Sequence, residues 1–249
     1  MTFYTTIILA FLLGLVASFY GSIAGGASFL SLPGLIFLGI PPEVAVATNN
    51  LANLGRFSLS SVKFIRSKKI IWKYVYTLAP LGLLAGFLGA RILLEIDRDL
   101  VRQSLGIVML CLVPLGFTKK EFGTVAQAVS QRRFLIGHFV YFAVSIYGAA
   151  LQIGSGPLVL YLVIYFFGLT ILQANATSSF CWLFITISAL ATFIANDAIH
   201  WPVGIAMLVG SSIGGYAGTH VAVSKGDLWT KRFFAIVISI MAIRLLFFA

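Results

Sequence analysis

Charge is what this chain has least of. Asp, Glu, Lys and Arg make up 10% of its 249 residues and hydrophobic residues 60%, against about a quarter charged in a soluble domain. So little polar surface excludes a water-soluble globule. The few carboxylates (Glu43, Glu95, Asp97, Asp99, Glu121, Asp197, Asp227) all fall near the ends of apolar runs or in loops. A cation carrier or proton pump built on a buried carboxylate relay is therefore disfavoured. Cys111 and Cys181 lie inside apolar runs without CxxC or Cys/His spacing, so neither a disulfide nor a metal site is expected. HExxH is missing, and so is a nucleophile with His and a carboxylate at a known spacing. An enzyme is disfavoured on that ground, and no cofactor is expected. The first apolar run, MTFYTTIILAFLLGLVASFY, has no preceding Lys or Arg and reads as a retained span rather than a signal peptide.

Long apolar runs are what the chain has instead. They cover approximately 3–24, 28–40, 43–65, 72–93, 101–117, 134–152, 157–169, 171–195, 202–222 and 232–248. A membrane-spanning helix needs roughly 20 apolar residues, so the length accommodates about eight to ten crossings with short loops. An all-α polytopic membrane protein is expected. The second and seventh runs are short for full spans and suggest tilted, broken or re-entrant helices buried in protein. The formal net charge of +10 sits mostly in short loops between runs. There it marks topology and contacts lipid headgroups, and nucleic acid is not expected as a partner.

The sequence repeats itself. Ala47-Thr48-Asn49-Asn50 matches Ala176-Thr177-Ser178-Ser179 at a spacing of 129, which also pairs Ile70 with Ile199, Trp72 with Trp201, Gly86 with Gly215 and Gly89 with Gly218. Tyr20-Gly21 recurs as Tyr147-Gly148, and Pro33 pairs with Pro157. The halves are residues 1–117 and 134–249, each of five apolar runs, joined by a basic linker over 118–133. An odd number of crossings per half predicts inverted-topology repeats. Placing the basic Lys63–Lys73 loop, the linker and the Lys225–Arg232 loop in the cytoplasm concentrates positive charge inside and puts both termini outside. Runs that merely dip in and return would make the halves parallel and weaken that bias.

Two stretches carry the candidate site. Gly25-Gly26-Ala27-Ser28 and Gly154-Ser155-Gly156-Pro157 each interrupt an apolar run before a segment of helical character. A helix that starts at mid-membrane turns free N–H groups and a positive dipole end into the cavity, a setting that suits an anion. Close packing through small residues is the competing reading. On the third run, Asn49, Asn53, Arg56, Ser60 and Lys63 fall at i, i+4, i+7, i+11 and i+14 and form one helical stripe, beside Thr48 and Asn50. Such a stripe lines a cavity, since lipid would leave the amides unpaired. The asparagines could equally bond between helices, and Arg56 could snorkel towards the cytoplasm. In the second half Gln152, Asn175, Thr177, Ser178 and Ser179 supply polar groups, but Asn53 maps to Trp182 and Arg56 to Ile185, so any fixed positive charge comes from the first half. His138, His200 and His220 lie near run ends and read as interfacial.

The order GSIAGGASFLSLPGLIFLGIPPEVAVATNNL, the basic loop ending IIWK, GLLAGFLGAR, then GSGPL, NATSS and IHW resembles the sulfite exporter TauE/SafE family, over nearly the whole chain. The second half departs from it with fewer consecutive glycines in GAALQIGSGPL and Ser-Ser for Asn-Asn, which implies an asymmetric site. The resemblance implies a carrier of sulfite, sulfonates or related small organic anions in a bacterial-type inner membrane, working by alternating access. Asn amides and the planar guanidinium fork of Arg56 suit sulfite or sulfonate oxygens. An anion channel and a non-transporting membrane assembly protein are the alternatives. The expected partners are a small sulfur-containing anion and the lipid bilayer, and a homo-oligomer is compatible with the chain.

Overall fold

The computed structural model describes residues 2–95 and 123–248, with residues 234–248 described by backbone alone. The fifth apolar run, Cys111 and the first part of the linker lie outside these residues. Among the described residues the chain is helical throughout, with α1 Phe3–Ala24, α2 Ser28–Phe37, α3 Pro42–Arg66, α4 Trp72–Glu95, α5 Gln131–Ala150, α6 Ser155–Phe167, α7 Ile171–Ala195 and α8 Trp201–Phe248. Four of them, α1, α4, α5 and α7, are long and apolar enough to cross a membrane. This is an integral membrane protein.

Local chemistry explains the breaks. α1 stops where Gly25 and Gly26 take φ of 74° and 76°, a conformation that only glycine adopts freely. α5 ends in the same manner at Gln152 and Gly154, with φ of 60° and 75°. In each case a tyrosine fastens the corner: the Tyr20 hydroxyl donates to the Gly26 carbonyl, and the Tyr147 hydroxyl to that of Ile153. α3 opens on Pro42 with Glu43 in its first turn, both favourable at a helix N-terminus. α7 opens on a capping box between Thr170 and Gln173. α8 is broken at Gly226, with φ of 79°, and the Asp227 carboxylate beyond it accepts from the Leu172 amide at 2.8 Å, which caps α7.

The short runs fold as helices of 10 and 13 residues, α2 and α6. Pro33 does not break α2; the helix continues through it and forgoes only the bond that residue 33 would donate to the Phe29 carbonyl. Nor are Pro33 and Pro157 equivalent. The two helices begin at Ser28 and Ser155, so Pro33 sits mid-helix and Pro157 in the first turn.

The halves interleave. α8 packs on α1 and α3, whereas α4 packs on α5 and α7, so each half sends its fourth helix into the other's bundle. Glycines permit these contacts: a Cβ on Gly210, Gly214 or Gly218 would strike the carbonyl of Phe11, Leu15 or Phe19 on α1, and one on Gly86 or Gly89 would strike that of Ile185 or Ile146. Small residues recurring every fourth position let membrane helices approach this closely. Two threonines complete the exchange. The Thr48 hydroxyl on α3 accepts from the His200 amide just before α8 at 3.0 Å, and the Thr177 hydroxyl on α7 accepts from the Ile71 amide just before α4 at 3.1 Å. Each supplies an acceptor for an orphan donor at a helix N-terminus.

Gly214→Ala is expected to lower the melting temperature in detergent by the equivalent of about 1–3 kcal/mol, because its methyl group would meet backbone. Gly204→Ala, whose methyl would meet only side-chain ends, those of Leu51, Thr48 and Ile199, should shift it less. Equal melting of the two variants would contradict this packing.

Candidate functional site

Both breaks meet at one place. Gly25 and Gly26 lie against Gly156 and Pro157, so closely that a Cβ on Gly156 would collide with the Gly26 amide nitrogen. The N-terminal ends of α2 and α6 are thus brought together; the Phe29 and Leu30 amides bond back to the Gly26 and Ala27 carbonyls, and the Ser155 amide to that of Gln152. A cavity of about 50 Å³ opens beside this junction. A void needs roughly 10–15 Å³ by this measure to hold one water, so the space admits a few waters or one small polyatomic solute.

Its wall draws on both halves. Gly25, Gly26, Ala27 and Ser28 contribute from the first break, Asn53 and Arg56 from α3, Gln152, Ser155 and Gly156 from the second break, and Asn175, Ser178 and Ser179 from α7. The remaining sequence candidates stand outside the lining. Thr48 and Thr177 serve as the caps described above. Gly154 is the left-handed residue that precedes α6. Asn49 stands one layer back and Asn50 is buried elsewhere on α3.

The polar wall is stitched across the halves. Gln152 Oε1 accepts from Asn49 Nδ2 at 2.5 Å and Asn53 Nδ2 at 3.3 Å, while its Nε2 donates to the Val46 carbonyl at 3.0 Å. Asn175 Nδ2 donates to the Ser22 carbonyl at 2.8 Å and the Ile23 carbonyl at 3.3 Å, at the last turn of α1, and its Oδ1 accepts from Ser179 at 3.4 Å. Each helix break is therefore tied to a long helix of the opposite half.

Arg56 differs from these. It is 7% exposed, its guanidinium lies 4.1 Å from the centre of the Phe57 ring, and its Nε has no hydrogen-bond partner. Among the described residues it makes no ion pair, and no Asp or Glu lines the cavity. Gly215 on α8 lies against the Arg56 backbone, where a Cβ would come within 3.0 Å of its Cα, so α8 seals the helix behind the side chain. Ser178 Oγ, from the other half, is also buried without a partner. On α3 the apolar packing changes from one core cluster, ending at Ala52, to another, beginning at Phe57, and Asn53 and Arg56 occupy the gap.

Phe57, Val159, Leu160 and Trp182 form the apolar side of the cavity, with the Phe57 and Trp182 ring centres 6.0 Å apart. They were not among the sequence candidates, since an aromatic or branched residue in an apolar run reads as core. Only the mapping of Asn53 onto Trp182 hinted that position 182 faces the site. Ser22 was missed as well; its hydroxyl lies 3.2 Å from that of Ser60, the next member of the α3 stripe.

The comparisons agree with this architecture. The chain is 26% identical over 236 residues to a probable membrane transporter protein ORF9 of Sinorhizobium sp, covering 95% of this chain and 90% of that protein. It is 26% identical over 240 residues to the probable membrane transporter protein YfcA of Escherichia coli (strain K12), covering 95% and 88%. A probable membrane transporter protein of Haemophilus influenzae is 23% identical over 237 residues, covering 95% and 93%. No solved structure matches. Residues 10–245 match the family model described as sulfite exporter TauE/SafE, and the chain belongs to that family of membrane transporters.

Proposed function

We propose that this protein is a secondary carrier for sulfite, a sulfonate or a related small organic anion, held between two inverted halves and moved by alternating access. The observation that carries the reading is Arg56: a buried guanidinium without a counter-charge among the described residues, none of whose carboxylates lines the cavity beside it. An ion buried in a low-dielectric interior is costly unless paired. A bound anion would supply the missing partner, with the two helix N-termini adding favourable dipoles.

The exchanged threonine bonds support the inverted arrangement. Thr48, early in α3, meets the residue that follows the α7 corner, and Thr177, early in α7, meets the residue that follows the α3 corner. Equivalent helices running in opposite directions produce this reciprocity. The glycine contacts repeat it, since Gly86 lies on Ile185 as Gly215 lies on Arg56. Such halves can rock about a common site. The basic corner after α3 adjoins the α6–α7 corner through the Tyr74 hydroxyl bond to the Phe167 carbonyl at 3.1 Å. The α6–α7 corner in turn meets the Asp227 segment near Lys225 and Arg232. Gathering positive charge at one end favours a cytoplasmic location for that end.

In proteoliposomes, purified protein should show saturable sulfite counterflow, and Arg56→Gln should reduce it about tenfold or more, as expected for loss of a charged hydrogen bond. Arg56→Lys should recover part of the loss, because charge returns without the planar fork. Full uptake by the Gln variant would remove Arg56 from the site, and ohmic conductance without counterflow would identify a channel instead. Asn49→Ala should weaken anion binding less than Arg56→Gln, because it acts by releasing Gln152; binding titrations that rank the two in the opposite order would reject that assignment.

A further inference from the structure

The wall of the cavity is unbalanced in its hydrogen-bonding groups, and the imbalance restricts the solute. Several acceptors near the junction are already engaged by the protein's own donors. Gln152 Oε1 takes two asparagine N–H groups, and Asn175 Oδ1 takes the Ser179 hydroxyl. The carbonyls of Ser22 and Ile23 take the Asn175 amide. At the breaks themselves, the carbonyls of Gly26 and Ile153 take the hydroxyls of Tyr20 and Tyr147. Two tyrosines thus occupy carbonyls at the two breaks, one of them on Gly26 in the cavity lining. On the donor side, Arg56 Nε is without a partner, and so is the Ser178 hydroxyl, which can donate or accept.

A solute made only of acceptors meets a complementary surface. An ammonium group does not: it brings three donors and no acceptor, and among the described residues no carboxylate lines the cavity to receive it. The aromatic wall is no refuge, because the Phe57 ring already carries the Arg56 guanidinium at 4.1 Å, and the far edge of Trp182 is packed on Gly148. A second cation there would face like charge in a low-dielectric setting.

We infer that this site selects anions without a cationic group, and that zwitterions such as amino-sulfonates are rejected at binding. Tyr20 and Tyr147 act as positioning residues in this selection by occupying carbonyl acceptors. The inference rests on the anion-carrier reading above and narrows it.

The test uses the full chain in detergent and compares ethanesulfonate with 2-aminoethanesulfonate, which differ by the ammonium group, with sulfite as a third ligand. Thermal-shift titration is expected to give an affinity for ethanesulfonate about tenfold or more above that for the amino compound, the scale of an unsatisfied charged group. Equal affinities for the pair, or no binding by either, would overturn this inference, and sulfite binding in the same experiment would leave the anion-carrier reading standing. If sulfite also failed to bind, that reading would fall as well.

Discussion

The arrangement depends on a cation that no described residue neutralises. Arg56 is buried in a chain with few carboxylates, and none of those among the described residues lines its cavity. The surrounding contacts hold the guanidinium in place without satisfying it. Phe57 supports its face, Gly215 allows α8 to close over the helix behind it, and Ser60 ties the next turn of α3 to the Gly215 carbonyl at 3.1 Å. A flexible arginine could move its head group towards water at the membrane surface. Packed in this way, Arg56 remains beside the helix junction, where an incoming acceptor can reach it.

The exchange of long helices sets what can move. Because α8 belongs with α1 and α3, and α4 with α5 and α7, the packing units are not the sequence halves but two bundles that each borrow one helix. Backbone-to-backbone glycine contacts hold each borrowed helix tightly, and such contacts do not slide without loss. The softer boundary is where α3 faces α7 and where Gln152 and Asn175 reach across. Side-chain amides can exchange partners at small cost, so motion in the proposed carrier falls on this boundary rather than within either bundle.

Much of this was legible in the sequence. The glycine clusters marked both helix breaks, the spacing of 129 paired the residues that later proved to make equivalent contacts, and the α3 stripe led to Asn53 and Arg56. Other features were hidden because they depend on partners far away in the chain. Thr48 and Thr177 resemble ligand groups, but each is spent on a backbone amide more than a hundred residues distant. Asn49 resembles a cavity residue, but Gln152 occupies it. Pro33 resembles a break, yet α2, packed on α1 and α3 along one face, continues through it. Periodicity identifies a polar face and cannot tell which member of it is already paired.

The site is asymmetric on a symmetric scaffold, and the asymmetry has a physical consequence. The position equivalent to Arg56 is Ile185, and that equivalent to Asn53 is Trp182. The charge therefore belongs to the α3 side of the cavity, whereas amides come from both sides, Asn53 on α3 and Gln152 and Asn175 from the second half. A second arginine at 185 would double the buried charge and demand a second counter-ion or a permanent acidic partner. Isoleucine there avoids both and leaves room for a single charged group. An anion paired with Arg56 would then travel with the bundle of α1, α3 and α8, while the second bundle offers polar groups without a formal charge. Release requires that no wall hold the solute too well, and a cavity with one charged side and one uncharged side meets that condition.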